Sequence, residues 1–471
     1  MIMEGELYEK PSKGANVLVV SYPLQGHINP MLQFSKRLAS KGLKVAVITT
    51  TSVSANQPSN TDSSSSTLEF VRVYDGFEDE PDKVDVEAYL NRLRDSLCKS
   101  LFGLLDYYKQ NSMNLYPTPN MVIYDAIMPW VLQVVKKCGL QGAPFFTQSC
   151  VVNTIYYHAY KGHLNTPKYG SDHVSLPSVG SLLRGHDLPT FVSTPALYPV
   201  ALVKVLFDQF SNLEEVDCLF VNTMDMLENE VVNWMGSQWA VKTIGPCIPS
   251  MYLDKRLPND NDYGLSLFQA QTEACIQWLD ARETGSVVYV SMGSLASLGG
   301  EQMVEIAKGL EKCDKFFLWV VRASEENKLP LNFKEKTSMK GLIVNWCSQL
   351  EVLAHRALGC FVTHCGWNST LEAVSLGVPM VAFPQWTDQP TNAKCIVDFW
   401  KIGVRVKVDD KGFLQADEIE FCIREVMEGE RAEEIRTNAI KWKQLSKEAM
   451  EEGGSSDRNI EEFVAKLLSY T

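Results

Sequence analysis

The feature that most constrains the fold is a regular alternation of short apolar runs with amphipathic stretches. It begins with a run at Val17–Val20, a helical pattern from Met31 onward and a second apolar run at Val45–Thr49. Two strands joined by a helix in this way pair in parallel, with a right-handed crossover. We expect the helix to begin near Asn29–Pro30, because Asn caps helices and proline suits the first helical position.

The same alternation continues along the chain in two series. Further strands are predicted at Leu68–Val73, Met121–Tyr124, Pro144–Thr147, Leu219–Asn222, Ser286–Ser291, Phe316–Val321, Leu342–Asn345, Cys360–Thr363, Met380–Phe383 and Val404–Val408. Further helices are predicted at Tyr89–Lys109, Met128–Lys137, Val151–Tyr160 and Gln302–Cys313. Repeated alternation of this kind is typical of α/β domains built on parallel sheets.

A chain of 471 residues is also too long for one ordinary core. We therefore predict two Rossmann-like, doubly wound α/β domains facing a cleft, at residues 1–245 and 268–471, joined by a proline-containing linker at 246–267. The last helix could pack back on the first domain. Ligands of such sheets bind at the carboxyl ends of the strands, so informative residues should follow strands.

The amino-acid composition limits which binding partners and which cellular compartment we expect. The chain has 44 basic and 57 acidic residues, a net charge of −13, which argues against nucleic acid or an anionic membrane as its partner. The first 16 residues are polar and resemble no secretory signal, and no run reaches the roughly 18–20 apolar residues of a membrane span. Twelve scattered cysteines without a C-x-x-C pair favour a reducing compartment, the cytoplasm. The oligomeric state stays open.

Two residues of the first series have the chemistry of a base and its partner. His27 follows the first strand, where a helix start favours a neutral imidazole that can accept a proton. Asp125 follows the strand at Met121–Tyr124 and could reach the ring if the two strands are neighbours. The alternatives are a His bonded to backbone and an Asp that caps the next helix, and position alone does not exclude either.

The densest signal lies between Trp346 and Gln389. A strand runs into His364 and Gly366 and then into a helix, whose first N–H groups form an anion site suited to a diphosphate. Asn368 and Ser369 would add side-chain donors there.

Neighbouring residues complete a candidate nucleotide-sugar site. Glu372 could accept hydrogen bonds from ribose hydroxyls, and Trp346 offers a face on which a base can stack. Asp388 and Gln389 suit the hydroxyls of a sugar, and Ser294 follows the first strand of the second series as a further donor. Singly, each of these residues has a plain structural reading as a core aromatic, a solvated helix residue or a turn residue. Their combined spacing favours a binding site.

Metal sites and other enzyme classes have weaker support. Cys347, Cys360, His364 and Cys365 match no zinc spacing, and the D-x-D triplet at Asp260–Asp262 reads as a solvated turn of the linker. No metal site is predicted. Dinucleotide, P-loop and nucleophile-elbow motifs are absent from the sequence.

The segment Trp346–Gln389 resembles the signature box of the plant secondary-product UDP-glycosyltransferases, sugar-transfer family 1. The resemblance extends to YPLQGHINP at Tyr22–Pro30, to CIQWLD at Cys275–Asp280 and to the segments SMGS and IGPCIPS, and in effect it covers the chain. It is closest to the subgroup that acts on carboxylates, terpenoids and steroids. Thr387 and Ser21 depart from the residues commonest in the family, Ser and Pro.

The resemblance implies the GT-B fold and assigns roles by position. His27 would be the catalytic base and Asp125 its partner, with no metal and no cofactor. The UDP-sugar would be bound by Ser294, Trp346, Cys347, Gln349, His364, Trp367, Asn368, Ser369, Glu372, Asp388 and Gln389. The acceptor pocket would include Pro23, Leu24, Met128, Phe146, Gln148 and Trp386.

The expected reaction is inverting transfer of glucose from UDP-glucose to a hydroxyl or carboxylate of a small lipophilic acceptor such as a steroid, terpenoid or phenolic. Gln389 at the end of the box favours glucose, since relatives that prefer galactose often have His there. The alternatives are another UDP-sugar donor, a hydrolase or epimerase of UDP-sugars, and a binding protein without catalysis.

Overall fold

The computed structural model describes residues 7–8, 16–54, 67–77, 85–111, 118–164, 173–176, 179–265 and 270–469. The chain forms two compact units. Unit 1 comprises Met1–Gly185, Phe191–Leu267 and Ala449–Thr471, and unit 2 comprises His186–Thr190 and Phe268–Glu448. Each unit is a parallel sheet with helices, which confirms the predicted α/β fold class of two Rossmann-like domains.

Unit 1 is built on a parallel sheet of seven described strands, in the order β3-β2-β1-β4-β5-β8-β9, with a separate antiparallel pair of β6 and β7. Its strands are β1 Val17–Val20, β2 Val45–Thr50, β3 Leu68–Val73, β4 Met121–Asp125, β5 Gln141–Phe146, β6 His173–Leu176, β7 Gly180–Arg184, β8 Leu219–Val221 and β9 Val241–Thr243. The helices of this part of the chain are α1 Gln25–Ser40, α2 Thr51–Ser54, α3 Val86–Gln110, α4 Trp130–Lys137, α5 Cys150–Tyr160, α6 Thr190–Ser193, α7 Val200–Asp208 and α8 Asn229–Gln238.

Unit 2 has a parallel sheet of six described strands, in the order β12-β11-β10-β13-β14-β15. Its strands are β10 Val287–Ser291, β11 Phe316–Val320, β12 Gly341–Val344, β13 Leu358–Thr363, β14 Met380–Ala382 and β15 Gly403–Arg405. The helices from here to the end of the chain are α9 Thr272–Asp280, α10 Gly300–Lys312, α11 Phe333–Thr337, α12 Gln349–Leu353, α13 Trp367–Leu376, α14 Gln389–Lys394, α15 Ala416–Met427, α16 Ala432–Met450 and α17 Ser455–Leu468.

The central strands are apolar along their whole length, because helices on both faces of a parallel sheet leave neither face to water. β1 exposes at most 2% of any residue, and it lies between β2 and β4. The register pairs Val20 with Tyr124, so the chain that leaves β1 passes beside Asp125 at the end of β4.

The predicted start of the first helix is wrong by about one turn. α1 begins at Gln25 with Leu24 as its N-cap residue, and Pro30 lies inside the helix. His27 and Ile28 both donate their backbone N–H to the Leu24 carbonyl, which closes the first turn. His27 is therefore a residue of that turn and does not lie in a preceding loop.

The segment predicted as a linker packs into unit 1, and Asp260 is not a solvated turn residue. Its side chain is buried and accepts hydrogen bonds from Lys36 Nζ at 2.7 Å and from the Ser250 backbone N–H at 2.6 Å. A buried carboxylate needs such partners, and α1 supplies the cation. Asp254 in the same segment forms a two-pronged ion pair with Arg37 at 2.6 and 2.7 Å.

The C-terminal helix α17 packs on β9 in unit 1. Phe463 meets Phe220 edge to face at 4.8 Å, and Ser456 Oγ donates to the Gly245 carbonyl at 2.6 Å. Asn459 Nδ2 donates to the Thr243 carbonyl at 2.9 Å. No helix in the described part of the chain is long and apolar enough to cross a membrane.

Candidate active site

The structure brings His27 and Asp125 together in unit 1. His27 Nδ1 lies 2.7 Å from Asp125 Oδ2, and the carboxylate is almost fully buried, with 1% of its side chain exposed, whereas 22% of the His27 side chain is exposed. An ionised carboxylate can only accept, so Nδ1 carries the proton and Nε2 carries the lone pair. Asp125 Oδ1 also accepts the Ile127 backbone N–H at 3.3 Å, so the residue caps the following turn as well.

Two further side chains hold the imidazole, and sequence reasoning missed both. Thr147 Oγ1 lies 3.4 Å from His27 Nδ1, and the Tyr22 ring packs on the imidazole with centroids 5.4 Å apart. The Tyr22 backbone N–H donates to Asp125 Oδ2 at 3.4 Å. Burial, then Tyr89 and Asp125, raise the pKa of the Tyr22 phenol, which stays neutral. Thr147 directly follows β5 in the structure, but the strand predicted at Pro144–Thr147 contained it, so the rule that functional residues follow strands did not single it out.

The residues predicted for the acceptor pocket separate into two groups. Pro23 lines a small hollow of unit 1 beside the His27 turn. The other lining residues of this hollow are Ser21, Ile28, Val47, Ile48, Thr49, Thr50, Val53 and Leu265. Leu24, Gln148 and Trp386 are half-buried.

Met128 and Phe146 are more deeply buried than the half-buried residues of the predicted acceptor pocket. Met128 belongs to the apolar core on one face of the unit 1 sheet, and Phe146 stacks on Phe210 with centroids 5.9 Å apart. Each exposes only 1% of its surface. Both side chains therefore pack in the core of unit 1, and their place in the acceptor pocket stays a prediction.

In unit 2 the start of α13 has the features of an anion site. Gly366 is the N-cap residue and has no side chain with which to cap the helix. The first N–H groups of a helix attract anions through their partial positive charge. The preceding residue, Cys365, has φ +65°, and this left-handed turn directs the chain from β13 into the helix.

His364 lies beside this helix start and is uncharged at neutral pH. Burial lowers its pKa to about 4, although a hydrogen bond with the Ser291 backbone opposes the shift. A Cβ on Gly293 or on Gly366 would lie 2.5 Å from its Nε2, so any larger residue at either position would force the ring to move. His364 can thus serve an anion as a neutral hydrogen-bond donor.

Arg322, which was not predicted from the sequence, supports the turn that contains Ser294. Arg322, two residues after β11, donates from its two terminal nitrogens to the carbonyls of Ser294 and Ala296. Those bonds orient the turn after β10, on which Ser294 lies. Arg322 directly follows the strand predicted at Phe316–Val321, and this position is the sequence feature that could have identified it.

Gln349, Ser369 and Glu372 form one hydrogen-bonded group. Gln349 Nε2 donates to Ser369 Oγ at 2.8 Å and to Glu372 Oε2 at 2.7 Å. Tyr289 OH donates to Gln349 Oε1 at 3.3 Å and also lies 3.7 Å from Cys347 Sγ. The amide of Gln349 therefore orients the carboxylate that the sequence assigned to a ribose.

The loop of Trp346 is held by the start of α9. The Gln271 backbone N–H donates to the Trp346 carbonyl at 2.8 Å, and the Ser348 backbone N–H donates to Thr272 Oγ1 at 2.9 Å. Trp346 is half-buried, which leaves part of its surface accessible. The loop directly follows β12, as predicted.

Asp388 and Gln389 begin α14 and are both largely buried. Gln389 Oε1 accepts the backbone N–H groups of Gln385 at 2.8 Å and of Trp386 at 3.1 Å, which orients the side-chain amide. Asn392 Nδ2 donates to Asp388 Oδ2 at 2.7 Å and to the Cys365 carbonyl at 2.9 Å. Asn392 thus ties this turn to the helix start of α13.

Trp367 is the predicted aromatic residue at the start of α13. Its side chain exposes 4% of its surface and packs on Trp400 with centroids 6.1 Å apart. The indole packs largely in the core, and the backbone of Trp367 lies in the first turn of α13; its role in sugar binding stays a prediction. Asn368 is half-buried and Ser369 is buried on the same turn.

Within the described ranges, no group of three His, Cys, Asp or Glu residues is placed to hold a metal ion. The donors that converge here are helix N–H groups, a neutral imidazole, hydroxyls and amides.

Comparison with known proteins identifies the family. The family model described as UDP-glucoronosyl and UDP-glucosyl transferase matches residues 202–448. The chain is 50% identical over 453 residues to mogroside I-E synthase of Siraitia grosvenorii, covering 96% of this chain and 98% of that protein. It is 47% identical over 456 residues to UDP-glycosyltransferase 74E2 of Arabidopsis thaliana, covering 96% and 99%.

A solved structure agrees with these matches. The crystal structure of Os79 from O. sativa in complex with UDP superposes with a TM-score of 0.89 at 40% identity, over 96% of this chain and 100% of that chain. Os79 in complex with U2F and trichothecene gives a TM-score of 0.85 at 39% identity, with the same coverage. These matches confirm the predicted GT-B fold and the resemblance read from the signature box. The chain belongs to the plant members of the UDP-glucoronosyl and UDP-glucosyl transferase family and is a UDP-glycosyltransferase.

Proposed function

We propose that this enzyme transfers glucose from UDP-glucose to a hydroxyl, or a carboxylate, of a small lipophilic acceptor such as a steroid, terpenoid or phenolic. Transfer would invert the anomeric carbon and use no metal ion and no cofactor. The observation that carries the proposal is the 2.7 Å contact between His27 Nδ1 and the buried Asp125 carboxylate.

His27 is the proposed base and Asp125 the residue that stabilises it. Nε2 of His27 takes the proton of the acceptor hydroxyl as that oxygen attacks the anomeric carbon. The bond from this carbon to the phosphate oxygen breaks, and UDP leaves with the electron pair. Asp125 stabilises the imidazolium that results, and general-base help of this kind contributes roughly 10²–10⁴-fold. An acceptor carboxylate is already ionised and needs the base less.

The proposed donor site lies on unit 2. Trp346 would stack on uracil, Glu372 oriented by Gln349 would bind the ribose, and Asp388 and Gln389 would bind the glucose hydroxyls. The diphosphate would be bound by the first turn of α13 and by side chains of Ser294, His364, Asn368 and Ser369. Neutral donors in a dry site stabilise the leaving anion without being reorganised during the reaction.

The class of acceptor rests on two kinds of support. The apolar side chains Pro23, Ile28 and Leu265 lie beside the His27 turn, although the hollow that they line is too small to hold such an acceptor in this structure. One relative is named a mogroside synthase, and Os79 has been solved with a trichothecene. Gln389 at the end of the signature box supports glucose. The scattered cysteines support a cytoplasmic location.

The central experiment is a mass-spectrometric screen of UDP-glucose against a mixed panel of lipophilic alcohols, phenols and acids. We expect products that gain one hexose, formed at the same rate in excess EDTA. Parallel reactions with UDP-galactose, UDP-xylose and UDP-glucuronate test the donor. Release of free glucose without any acceptor would support a hydrolase instead.

The base is tested with His27→Ala, with His163→Ala at an exposed position as the matched control. We expect the first variant to lose transfer to alcohols while it still binds UDP-glucose, and the control to keep both. Near-normal turnover of His27→Ala with an alcohol would contradict the proposed mechanism.

A further inference from the structure

A short segment distant in sequence lies against the turn proposed to bind the sugar. Residues His186–Thr190 belong to unit 2, although the chain on either side of them belongs to unit 1. The Thr190 backbone N–H donates to the Thr387 carbonyl at 2.8 Å, and the Thr387 backbone N–H donates to Thr190 Oγ1 at 2.8 Å across a separation of 197 residues. Thr190 therefore satisfies both backbone polar groups of Thr387.

Thr387 needs this support because its backbone is strained. Its φ is +55°, a left-handed conformation that β-branched residues avoid. Such conformations persist only where surrounding contacts impose them, and they cluster at ligand sites. Thr387 immediately precedes Asp388 and Gln389, so its conformation sets the direction in which both side chains leave the turn.

The same segment is anchored at a second point. Thr391 Oγ1 donates to the Asp187 carbonyl at 2.6 Å, and Thr391 is fully buried two residues after Gln389. The Asp187 carboxylate is buried and pairs with Arg405 Nη1 at 2.9 Å and with Lys394 Nζ at 3.8 Å. Contacts on both sides of Asp388 and Gln389 thus connect the turn to Asp187 and Thr190.

We propose that Thr190 and Asp187 are positioning residues that set the orientation of Asp388 and Gln389 and thereby the selectivity for the hydroxyl pattern of the transferred sugar. The inference rests on the proposed function, since it takes these two residues as the sugar-binding pair. It adds that selectivity depends on a segment outside the signature box. Neither positioning residue needs to touch the donor.

The test compares Thr190→Val with Thr190→Ser. Valine keeps the shape and the backbone donor but removes the oxygen that accepts the Thr387 N–H, whereas serine retains that oxygen. Loss of the partner of a buried donor weakens a site by roughly five- to thirtyfold. We expect Thr190→Val to bind UDP-glucose weaker by that factor, to keep the wild-type affinity for UDP and to lose discrimination between UDP-glucose and UDP-galactose. Thr190→Ser should restore all three quantities.

Isothermal titration with UDP, UDP-glucose and UDP-galactose gives these values without turnover. Thr284→Val, at an exposed position of unit 2, is the matched control and should behave as wild type. Thr391→Val is the second variant, and we expect it to shift the same ratio of UDP-glucose to UDP affinity. It also serves as the test if Thr190→Val does not fold.

Two results would overturn the positioning role. One is an unchanged ratio of UDP-glucose to UDP affinity in both valine variants, and the other is an equal loss for UDP and UDP-glucose, as general damage to unit 2 would cause. Failure of the proposed function looks different, because the wild-type enzyme would then form no glucosylated product in the acceptor screen.

Discussion

Replacing Asp125 with Asn tests the reasoning about the base most directly. The carboxylate accepts from His27 Nδ1, from the Tyr22 backbone N–H and from the Ile127 backbone N–H. An amide has only one accepting oxygen, so one of these donors must face an NH₂ group. If the NH₂ group faces His27, the imidazole must move its proton to Nε2 and can no longer act as the base.

The size of the effect follows from the charge that is lost. Two unit charges about 4 Å apart at the edge of a protein interact by about 4 kcal/mol at an effective dielectric constant of about 20. A dielectric constant of this size suits a buried Asp125 beside a partly exposed His27. Each 1.36 kcal/mol is tenfold in rate, so we expect Asp125→Asn to lower kcat for an alcohol acceptor by roughly 10³-fold.

The assay uses two acceptors on the same enzyme. Initial rates at saturating UDP-glucose are measured with an alcohol and with a carboxylic acid, which is ionised without help, and the melting temperature and UDP affinity report on the fold. We expect a large loss for the alcohol and a much smaller one for the acid. A loss of less than about tenfold for the alcohol, or equal losses for both with an intact fold, would refute the role of Asp125.

Three further predictions address the donor site, the pH dependence and the core. Gln349→Leu should weaken UDP binding by roughly five- to hundredfold in a titration, because Glu372 loses the amide that orients it; unchanged affinity would contradict this. Burial raises the pKa of Asp254, but the hydrogen bond and charge of Arg37 outweigh it and hold that pKa well below its usual value. The ion pair therefore stabilises the fold fully above about pH 4, and this stabilisation is lost as the pH falls below the ordinary carboxyl pKa. The Asp254→Asn variant lacks the titrating carboxylate, so its melting temperature should fall less steeply in acid than that of the wild type. Met128→Ala should lower the free energy of unfolding by about 2–5 kcal/mol in a urea titration, with acceptor selectivity unchanged; the opposite pattern would place Met128 in the acceptor pocket.

Most of the two sheets could be predicted from the sequence, because parallel strands buried on both faces are apolar throughout. β1 and β3 have the predicted bounds, and most other predicted strands shift by only one or two residues. Helix starts were less secure. Pro30 suggested the beginning of α1, but it lies in the second turn of the helix. There it lacks the N–H for one hydrogen bond and its ring crowds the carbonyl four residues earlier, and packing of α1 on the sheet outweighs both costs.

The candidate site was predictable where a residue follows a strand and has a chemistry of its own. His27 and Asp125 meet both conditions, and the pairing of β1 with β4 brings them together. Thr147 and Arg322 also follow strands, but a threonine and an arginine at such places have many ordinary roles. The burial of Met128 could not be predicted, because the pattern that marks a strand end does not show whether a following side chain points into the core.

Contacts that join distant segments are outside the reach of any local pattern. Thr190 pairs with Thr387 across 197 residues, and only the strained φ of Thr387 signals that something must hold it. The sequence showed Thr387 as a departure from the commonest residue of the family. Its physical consequence, a β-branched residue in a left-handed turn, becomes visible only with the backbone.

The part of the proposed donor site that would bind the diphosphate is built from neutral donors, although the chain as a whole is acidic. A net charge of −13 gives a field that repels an anionic nucleotide, so attraction must come from groups close to it. The nearby cations have other partners: Arg405 pairs with Asp187, and Arg322 donates to the carbonyls of the Ser294 turn. Burial holds His364 neutral, so it adds a donor without a charge that would need a partner once UDP has left. In the proposed site, recognition of the nucleotide depends on the directions of hydrogen-bond donors more than on net charge, so an acidic protein can bind an acidic donor.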